Sequence, residues 1–588
     1  MPIKVDEAIE HANALKQDYA KRDEMLNEID KMYFLEWDDK PDDRAYKFTV
    51  SPSARNALLG AIRLMTSTEP KFNVPHDKNN KDARDLSEKI EKFCHAIWYH
   101  SGRFKGVPLE QPAVESLLRY GIMCLAITDT EDLMKISQEK GVGKAQLKQL
   151  ERLTKSTPFL IEAWDPKTIY PEWGRYGLES VYREVEMRVA EVEQQFGAKA
   201  VQEILGKKGE GSKNDLVTYA DYWDLDKHIA WISLAEGNEI SLVGDPILDV
   251  EHELPCIPIV VQTAEGSYMD VERERQAVPF LYTVLKTKLW ERQNLELTVM
   301  YTNLFNLAAS PTFLHETMGG EGDLVTDFDT PGGRIVLKNG EKFQQLRKDV
   351  ITADMLQGLN IATGLIEQST IYSQSLGQPL GANSAFSMVA LLHQAGRLPL
   401  ASPQKRGGWS MGGVMENIME IVKDKKKANQ VLNQDGGFIE IDDKEIPDDL
   451  IINAILDVDL PQDMLSQVNI AGMATQNGLA SRRWVREKVM NIGQSEAMDK
   501  EIWNEQAGEI LYQQTLQKLI EAGMQPPGGI PQEGMPPGGM PPPEEMMGMP
   551  GEGSAINTQE GLIPATRPGQ QPAPPSMQPR GPQEGEMR

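Results

Sequence analysis

Apolar residues in this chain recur mainly at spacings of three and four, the period of an amphipathic helix. They alternate or run together chiefly between about residues 120 and 262. Ala8, Ile9, Ala12, Leu15 and Tyr19, continued by Leu26, Ile29 and Tyr33, predict one helix over 5–35. Further helices are predicted over 53–65, over 82–99 with Leu86, Ile90, Phe93 and Ile97 on one face, and over 114–120, stopped by Gly121. The apolar run 122–128 reads as a buried strand, and the charged stretch 131–155 as a helical insertion on the surface. Strand-like runs follow at 159–164, 180–189, 216–223, 228–234 and 255–262, interrupted by a helix at 190–205. The run at 228–234 is expected to pair with 239–243 across Gly237-Asn238, a hairpin-type turn signal. This half is a mixed α+β body.

The stretch 271–395 organises the rest. A long helix is expected over 277–306, with Phe280, Leu281, Val284, Leu285, Leu289, Leu295, Val299, Met300 and Leu304 on one broad face. It ends at Ala309-Ser310-Pro311, because the residue before proline avoids the α region. A second helix, 352–373, carries Met355, Leu356, Leu359, Ala362, Leu365 and Ile366. Its interior Gly358 and Gly364 each cost about 0.8–1 kcal/mol relative to alanine, which fits equally close backbone approach to a neighbour or a slightly weak core helix. The two helices are read as antiparallel, with a small module between them. That module holds a hairpin of 334–338 with 341–346 across Asn339-Gly340. A Gly/Pro loop at 374–383 opens a helix at 384–394. Two prolines and several glycines then break or kink the chain over 396–408, and a helix resumes at 413–427. Strands are expected at 438–441 and 454–458, and helices at 461–476, 481–490 and 496–522. From 523 the chain is Pro, Gly, Met and Glu without a period, the composition of a disordered tail.

The chain has 588 residues and a net charge of −27, which excludes a simple basic nucleic-acid binder. The acidic, amphipathic N-terminus carries no apolar signal core, and no window reads as a membrane span. Its three cysteines, Cys94, Cys124 and Cys256, are far apart and form neither a disulfide framework nor a zinc pattern; a reducing cytosol fits. Cys94, His95 and His100 read as a core thiol beside surface histidines.

Candidate catalytic motifs fail on context. Gly408-Trp409-Ser410-Met411-Gly412 matches the nucleophile-elbow pattern, but no strand precedes it and the last histidine, His393, lies upstream. The serine hydrolase at Ser410 is therefore the weakest of the alternatives. Asp327-Phe328-Asp329 begins like a calcium loop, but Pro331 replaces a ligand and Lys338 stands where the bidentate Glu belongs. Gly143-Lys144 and Gly206-Lys207 lack the P-loop spacing. No enzyme, cofactor or metal is expected.

The order and spacing of several runs resemble the portal, or head-to-tail connector, proteins of tailed bacteriophages. The runs are YFLEW at 33–37, SPSARN at 51–56, TEPKF at 68–72, LRYG at 118–121 and LPCIPIVV at 254–261. They continue with NSAFSMVALLH at 383–393, DVDLPQD at 457–463 and NGLAS at 477–481. The resemblance implies a wing at 1–270, a first stem helix at 271–308, a clip at 309–351 and a second stem helix at 352–373. It also implies a tunnel loop at 374–383, a kinked long helix returning to the wing at 384–460, crown helices at 461–522 and a disordered tail at 523–588. It further implies a closed ring of about twelve subunits with head-to-tail contacts. Such a ring sits at the capsid vertex of the virion, is assembled in the host cytoplasm, and passes double-stranded DNA without reading sequence. Its partners would be terminase, the major capsid protein, scaffold and a tail adaptor. The alternative in the same class is another structural head or head–tail joining protein. Candidate DNA-channel residues are Gln374, Gln378 and Asn383 in the loop, Lys286, Lys288 and Arg292 on the first long helix, and Arg397, Lys405 and Arg406 near the kink. Candidate docking residues in the clip are Glu316, Glu321, Asp323, Asp327 and Asp329.

Overall fold

The computed structural model describes residues 3–38, 47–77, 80–139, 143–196, 214–233, 246–252, 254–309, 313–316, 342–345, 353–371, 398–434, 436–456 and 495–521, with five further positions between 472 and 485. The fold is α+β.

The expected first helix is two, α1 (Val5–Asp18) and α2 (Ala20–Phe34), parted at Tyr19. The two helices answer to different packing partners. Ala8, Ala12 and Leu15 of α1 lie against Tyr170, Tyr182, Tyr222 and Trp231 of a sheet, whereas Ile29 and Met32 of α2 enter the main core. Tyr19 fixes the joint, its hydroxyl donating to the Pro171 carbonyl at 2.7 Å.

The helix α3 (Ser53–Met65) has the expected bounds and leads to β1 (Lys71–Asn73). α4 (Lys81–Lys105) is capped by the Asn80 side chain and runs a turn and a half beyond the expected end. Burial continues through His100, Ser101 and Gly102, where Ser101 Oγ accepts from the Ile161 N–H at 2.9 Å, while Arg103–Lys105 are exposed. His95 and His100 are not surface residues. His95 accepts from the Phe72 N–H, and His100 contacts the Leu432 carbonyl at 2.6 Å, so each ties α4 to a strand. Burial lowers the His95 pKa. Burial also raises the thiol of Cys94, in the core, and pushes Cys124 up to about 12.

α5 (Glu110–Tyr120) ends at Gly121, which has φ +75° and where a Cβ would lie 2.7 Å from the Val278 carbonyl carbon; only glycine fits. β2 (Ile122–Asp129) explains its continuous apolar run by being buried on both faces. Met123, Leu125 and Ile127 enter the main core, and Ile122, Cys124 and Ala126 a second one. α6 (Thr130–Glu139) and α7 (Lys144–Ser156) form the charged insertion, followed by β3 (Phe159–Ala163).

The strand β4 (Ile169–Gly174), which Pro171 hid from the pattern, starts a meander with β5 (Gly177–Arg188). After α8 (Val189–Phe196) come β6 (Leu216–Asp224), β7 (Lys227–Ser233), β8 (Leu248–Glu251) and β9 (Ile259–Thr263). Two antiparallel sheets result, ordered β4-β5-β6-β7-β8 and β3-β2-β9. The partner of β7 is β8, with Ala230 opposite Leu248; the expected partner 239–243 lies outside the described residues. β8 has only two apolar residues in four, too weak a pattern to be read as a strand.

A polar clamp fastens α1 to the five-stranded sheet. His11 lies 3.0 Å from Glu172 and 2.9 Å from the Tyr222 hydroxyl, and Lys16 reaches Glu184 at 2.8 Å. The Glu172 hydrogen bond raises the His11 pKa, and the same bond lowers that of Glu172. The His11 contribution is complete below its unfolded value of 6.5 and is lost as pH rises through the raised folded value. The Glu172 contribution is present above 4.5 and is lost as pH falls through its lowered value. The clamp is thus strongest between these two values. The melting midpoint should fall between pH 6 and pH 8, and His11→Gln should remove the part of that fall that belongs to the clamp. An identical pH profile in the two proteins would dismiss the clamp as a pH-sensitive contact.

Beyond the sheets come α9 (Arg273–Gln276), α10 (Tyr282–Lys286) and α11 (Leu289–Ala309). The expected helix 277–306 is therefore broken. Thr287 closes α10 with its N–H on the Leu285 and Thr283 carbonyls, and Lys288 takes φ +53°. The short strands β10 (Phe313–Glu316) and β11 (Lys342–Gln345) pair antiparallel, Glu316 opposite Lys342. β11 answers to the expected strand 341–346, but its partner among the described residues is β10; 334–338 lies outside them. α12 (Ala353–Ser369) is the expected second long helix.

Residues 398–425 correct the expected break. After a single 3-10 turn, α13 (Ala401–Lys425) runs unbroken through Gly407, Gly408, Gly412 and Gly413. Pro403 sits in its first turn, where a missing N–H costs nothing. β12 (Asn429–Leu432), β13 (Phe438–Ile441) and β14 (Asn453–Ile455) follow. β12 pairs with β13, and β14 pairs back with β1, Lys71 opposite Ile455. The glycines of α13 admit β14: a Cβ on Gly408 would stand 2.3 Å from the Ala454 carbonyl oxygen, and one on Gly412 2.2 Å from that of Ile452.

These elements belong to one compact unit, residues 1–467. In a second unit, 468–588, the described helix is α14 (Ser495–Glu521), which exposes Trp503, Ile510, Leu511 and Tyr512. The expected helix at 384–394, the tail, and the helices at 461–476 and 481–490 apart from positions 472, 473, 475, 476 and 485 lie outside the described residues.

Candidate functional site

The pair α11 and α12 is antiparallel. Gln293 Nε2 donates to Thr363 Oγ1 at 2.9 Å, and three residues further along α11 Glu296 lies beside Gly358, five residues earlier in α12. Ser53 Oγ donates to Gln293 Oε1 at 2.6 Å, so the N-terminus of α3 joins the same network. Ala362 and Ile366 are buried. Other apolar side chains of the pair are not: Leu295, Tyr301, Leu304 and Phe305 on α11 are exposed, as are Leu356, Ile361 and Leu365 on α12, with Ile361 51% exposed. A helix that keeps apolar residues on more than its core face has a second surface to bury.

The extended segment 47–51 lies along α11. Asn294 Oδ1 accepts from the Ser51 N–H at 2.7 Å, Thr298 Oγ1 from Thr49 at 3.1 Å, and Thr302 Oγ1 from Lys47 at 2.8 Å. Trp290 Nε1 donates to the Ser51 carbonyl at 3.0 Å. The registers match: four helical residues rise about 6.0 Å and two extended residues about 6.6 Å. The sequence reading missed this ladder. Its signal is a buried polar residue at i, i+4 and i+8 on a helix otherwise read by its apolar stripe.

The candidate cations fall into three situations. Lys288 lies 3.4 Å from Glu291, and Arg292 3.1 Å from Glu296; both cations are exposed, and such pairs contribute little. Lys286 sits 5.5 Å over the Tyr282 ring, and with Lys288 it lines a cleft of about 1290 Å³ whose walls also carry Glu24, Glu28 and Asp38. Lys405 stands 4.8 Å from the ring of the exposed Trp409. Arg406 is engaged inside the chain, donating to Thr263 Oγ1 and the Gly266 carbonyl at 3.0 Å each, and so fastens α13 to β9. Gln374, Gln378, Asn383 and Arg397 lie outside the described residues, as do Glu321, Asp323, Asp327 and Asp329. Glu316 closes β10.

Ser410 lies within α13, 1% exposed, and its Oγ has no hydrogen-bond partner. A helix interior is not the strained strand-to-helix turn that presents a nucleophile, so the hydrolase motif is a coincidence of glycine packing.

Gly364 tests the expected close approach of backbones. Among the described residues a Cβ there meets nothing within 4 Å, and one at Gly358 meets the carboxylate end of Glu296, with Oε1 at 3.4 Å. Neither glycine is required by the described residues. Gly364→Ala should therefore stabilise the separated chain by about 0.8–1 kcal/mol, read as a higher denaturant midpoint. A loss of stability there would mean that Gly364 is confined within a single chain.

The fold is thus an α+β body from which an antiparallel helix pair with exposed apolar faces leads to a small two-stranded sheet. No protein-family model and no curated protein matches the chain. Among solved structures it is similar to a chain in the neck of a native GTA particle computed with C12 symmetry (9% identity, 79% of this chain and 92% of that chain, TM-score 0.38). It is also similar to one in the neck of an empty GTA particle computed with C6 symmetry (10%, 75% and 90%, 0.39), and to one in the virion of a native gene transfer agent particle (10%, 79% and 92%, 0.37).

Proposed function

We propose that this chain is a portal subunit, about twelve copies of which close head to tail into a ring that passes double-stranded DNA at the capsid vertex. The observation that carries the reading is the α11–α12 pair, with apolar side chains left exposed on both helices and the β10–β11 sheet between them in sequence. Placed side by side in a ring, such pairs bury those faces against one another and enclose a channel. The runs quoted above from 33–37 to 477–481 supply the family. A net charge of −27 per chain makes the assembled surface repel phosphate, so DNA slides with little adhesion. Lys286, Lys288, Arg292 and Lys405 are the described cations proposed for contact with the backbone, together with Gln374, Gln378, Asn383 and Arg397. Arg406 we assign to the body. Terminase and then the tail adaptor dock at Glu316, Glu321, Asp323, Asp327 and Asp329, and the major capsid protein and scaffold contact the outer body.

Negative-stain electron microscopy with mass measurement on the same sample tests this. Rings of about twelve subunits with a central hole are expected. A chain that stays monomeric or dimeric across salt conditions and concentrations would overturn the reading.

A further inference from the structure

The apolar period over 277–306 is continuous, and the residues at the break, Thr287 and Lys288, are neither glycine, proline nor asparagine. The chain nevertheless leaves the helix there, with Lys288 in the left-handed region. Leu35 and Lys426 share that conformation, but each closes a helix after which the chain departs. Lys288 differs in joining two helices of one period. A side chain with a Cβ is disfavoured there, so something outside the local sequence holds the bend.

Both sides of the bend begin in the main core, through Leu281 and Val284 before it and Leu289 and Trp290 after it. Beyond Trp290, α11 is held along its length by the ladder from Asn294, Thr298 and Thr302 to segment 47–51. Those bonds come from helix side chains to the backbone of the segment and use none of the helix's own hydrogen bonds, so they can open without unravelling α11. The cleft of about 1290 Å³ beside the break, lined by Trp37, Lys286, Lys288 and Trp290, leaves room for movement.

We propose that segment 47–51 is a latch: it holds α10 and α11 bent at Lys288, and its release lets them join into one continuous helix that re-aims the α11–α12 pair. This concerns the chain itself and does not depend on the ring.

The test is a spin-label distance between Asn27→Cys on α2 and Tyr301→Cys on α11, in a Cys256→Ser background, with labelled chain diluted into unlabelled chain. Thr298→Val with Thr302→Val removes two rungs at constant side-chain shape. The amides of Lys47 and Thr49 should then exchange roughly tenfold faster, and a second distance population should appear. Adding Lys288→Gly, which relieves the left-handed strain, should suppress that population. Faster amide exchange with an unchanged distance distribution overturns the proposal. Should the valine variant not fold, Lys288→Ile serves with the latch intact. A β-branched residue resists positive φ, and the second population should appear; an unaltered distribution would again overturn it.

Discussion

Ile361→Glu should abolish assembly, leaving single chains under conditions where the parent forms rings. The residue is 51% exposed within the chain, so folding of the separated subunit should be unaffected, and circular dichroism should confirm it. In the proposed ring the same side chain is buried against a neighbour. There the substitution loses the transfer of an isoleucine, about 1.5–3 kcal/mol, and adds the desolvation of an unpaired carboxylate. A loss of roughly 3 kcal/mol weakens each contact by more than about a hundredfold, repeated at every interface. Leu365→Glu, one turn on, should act alike, and Ile361→Ala should shift the concentration dependence without ending assembly. Mass measurement across a dilution series is the check. Rings of normal size and stability from both glutamate variants would remove the paired helices from the interface.

Gly408→Ala should lower the melting midpoint markedly, against the direction that helix propensity predicts. Alanine in a helix interior gains about 0.8–1 kcal/mol over glycine. At Gly408, however, the new methyl would stand 2.3 Å from the Ala454 carbonyl oxygen, where C···O contacts normally begin near 3.3 Å. The obstacle is backbone, and that backbone is paired to β1 from Lys71 to Asn73, so it cannot retreat without opening the pair. Overpacking of this kind costs about 1–3 kcal/mol or more, which exceeds the propensity gain. Gly412→Ala meets the Ile452 oxygen in the same way. Because Ile452 and Ala454 lie two residues apart in one segment, the two effects should not add. Comparison with Gly364→Ala, where propensity should win, separates packing from propensity within one protein. A raised midpoint for Gly408→Ala would mean that β14 does not rest on α13.

Elements with one clear partner were legible in the sequence. α3 and β13 have their expected bounds, and α12 and α14 nearly so, because each carries a helical or alternating period uninterrupted by function or crossing. The failures are cases where a distant segment decides. Glycines at 407, 408, 412 and 413 look like a break until β14 is laid across them. Thr287 and Lys288 look helical because no glycine, proline or asparagine marks the break there. β8 has too little apolar character to be read without β7 beside it. His95 and His100 looked like surface residues because nothing local shows that their bonding partners are Phe72 and Leu432. Of the candidate site, the antiparallel helix pair was legible from periodicity; of the small module the strand at 342–345 was expected, but its pairing with 313–316 was not, and the expected turn at Asn339-Gly340 lies outside the described residues. The engagement of Arg406 inside the body was not legible, since its partners are a strand and a loop about 140 residues upstream.

The pairing of β14 with β1 also sets a timetable. Lys71 and Ile455 lie about 380 residues apart, and the main core takes in Met411, Val414, Met415, Ile418, Ile452 and Leu456 alongside residues of α2 to α5. At a synthesis rate of about 5–20 residues per second, the first strand waits roughly 20–75 s for its partner to leave the ribosome. For that interval α5 exists without α13, and α4 without β12 and β13, which later pack against them. The body is therefore completed after, not during, most of translation. A nascent chain halted before residue 456 would expose a large apolar surface, and its natural companion in the cell is a chaperone.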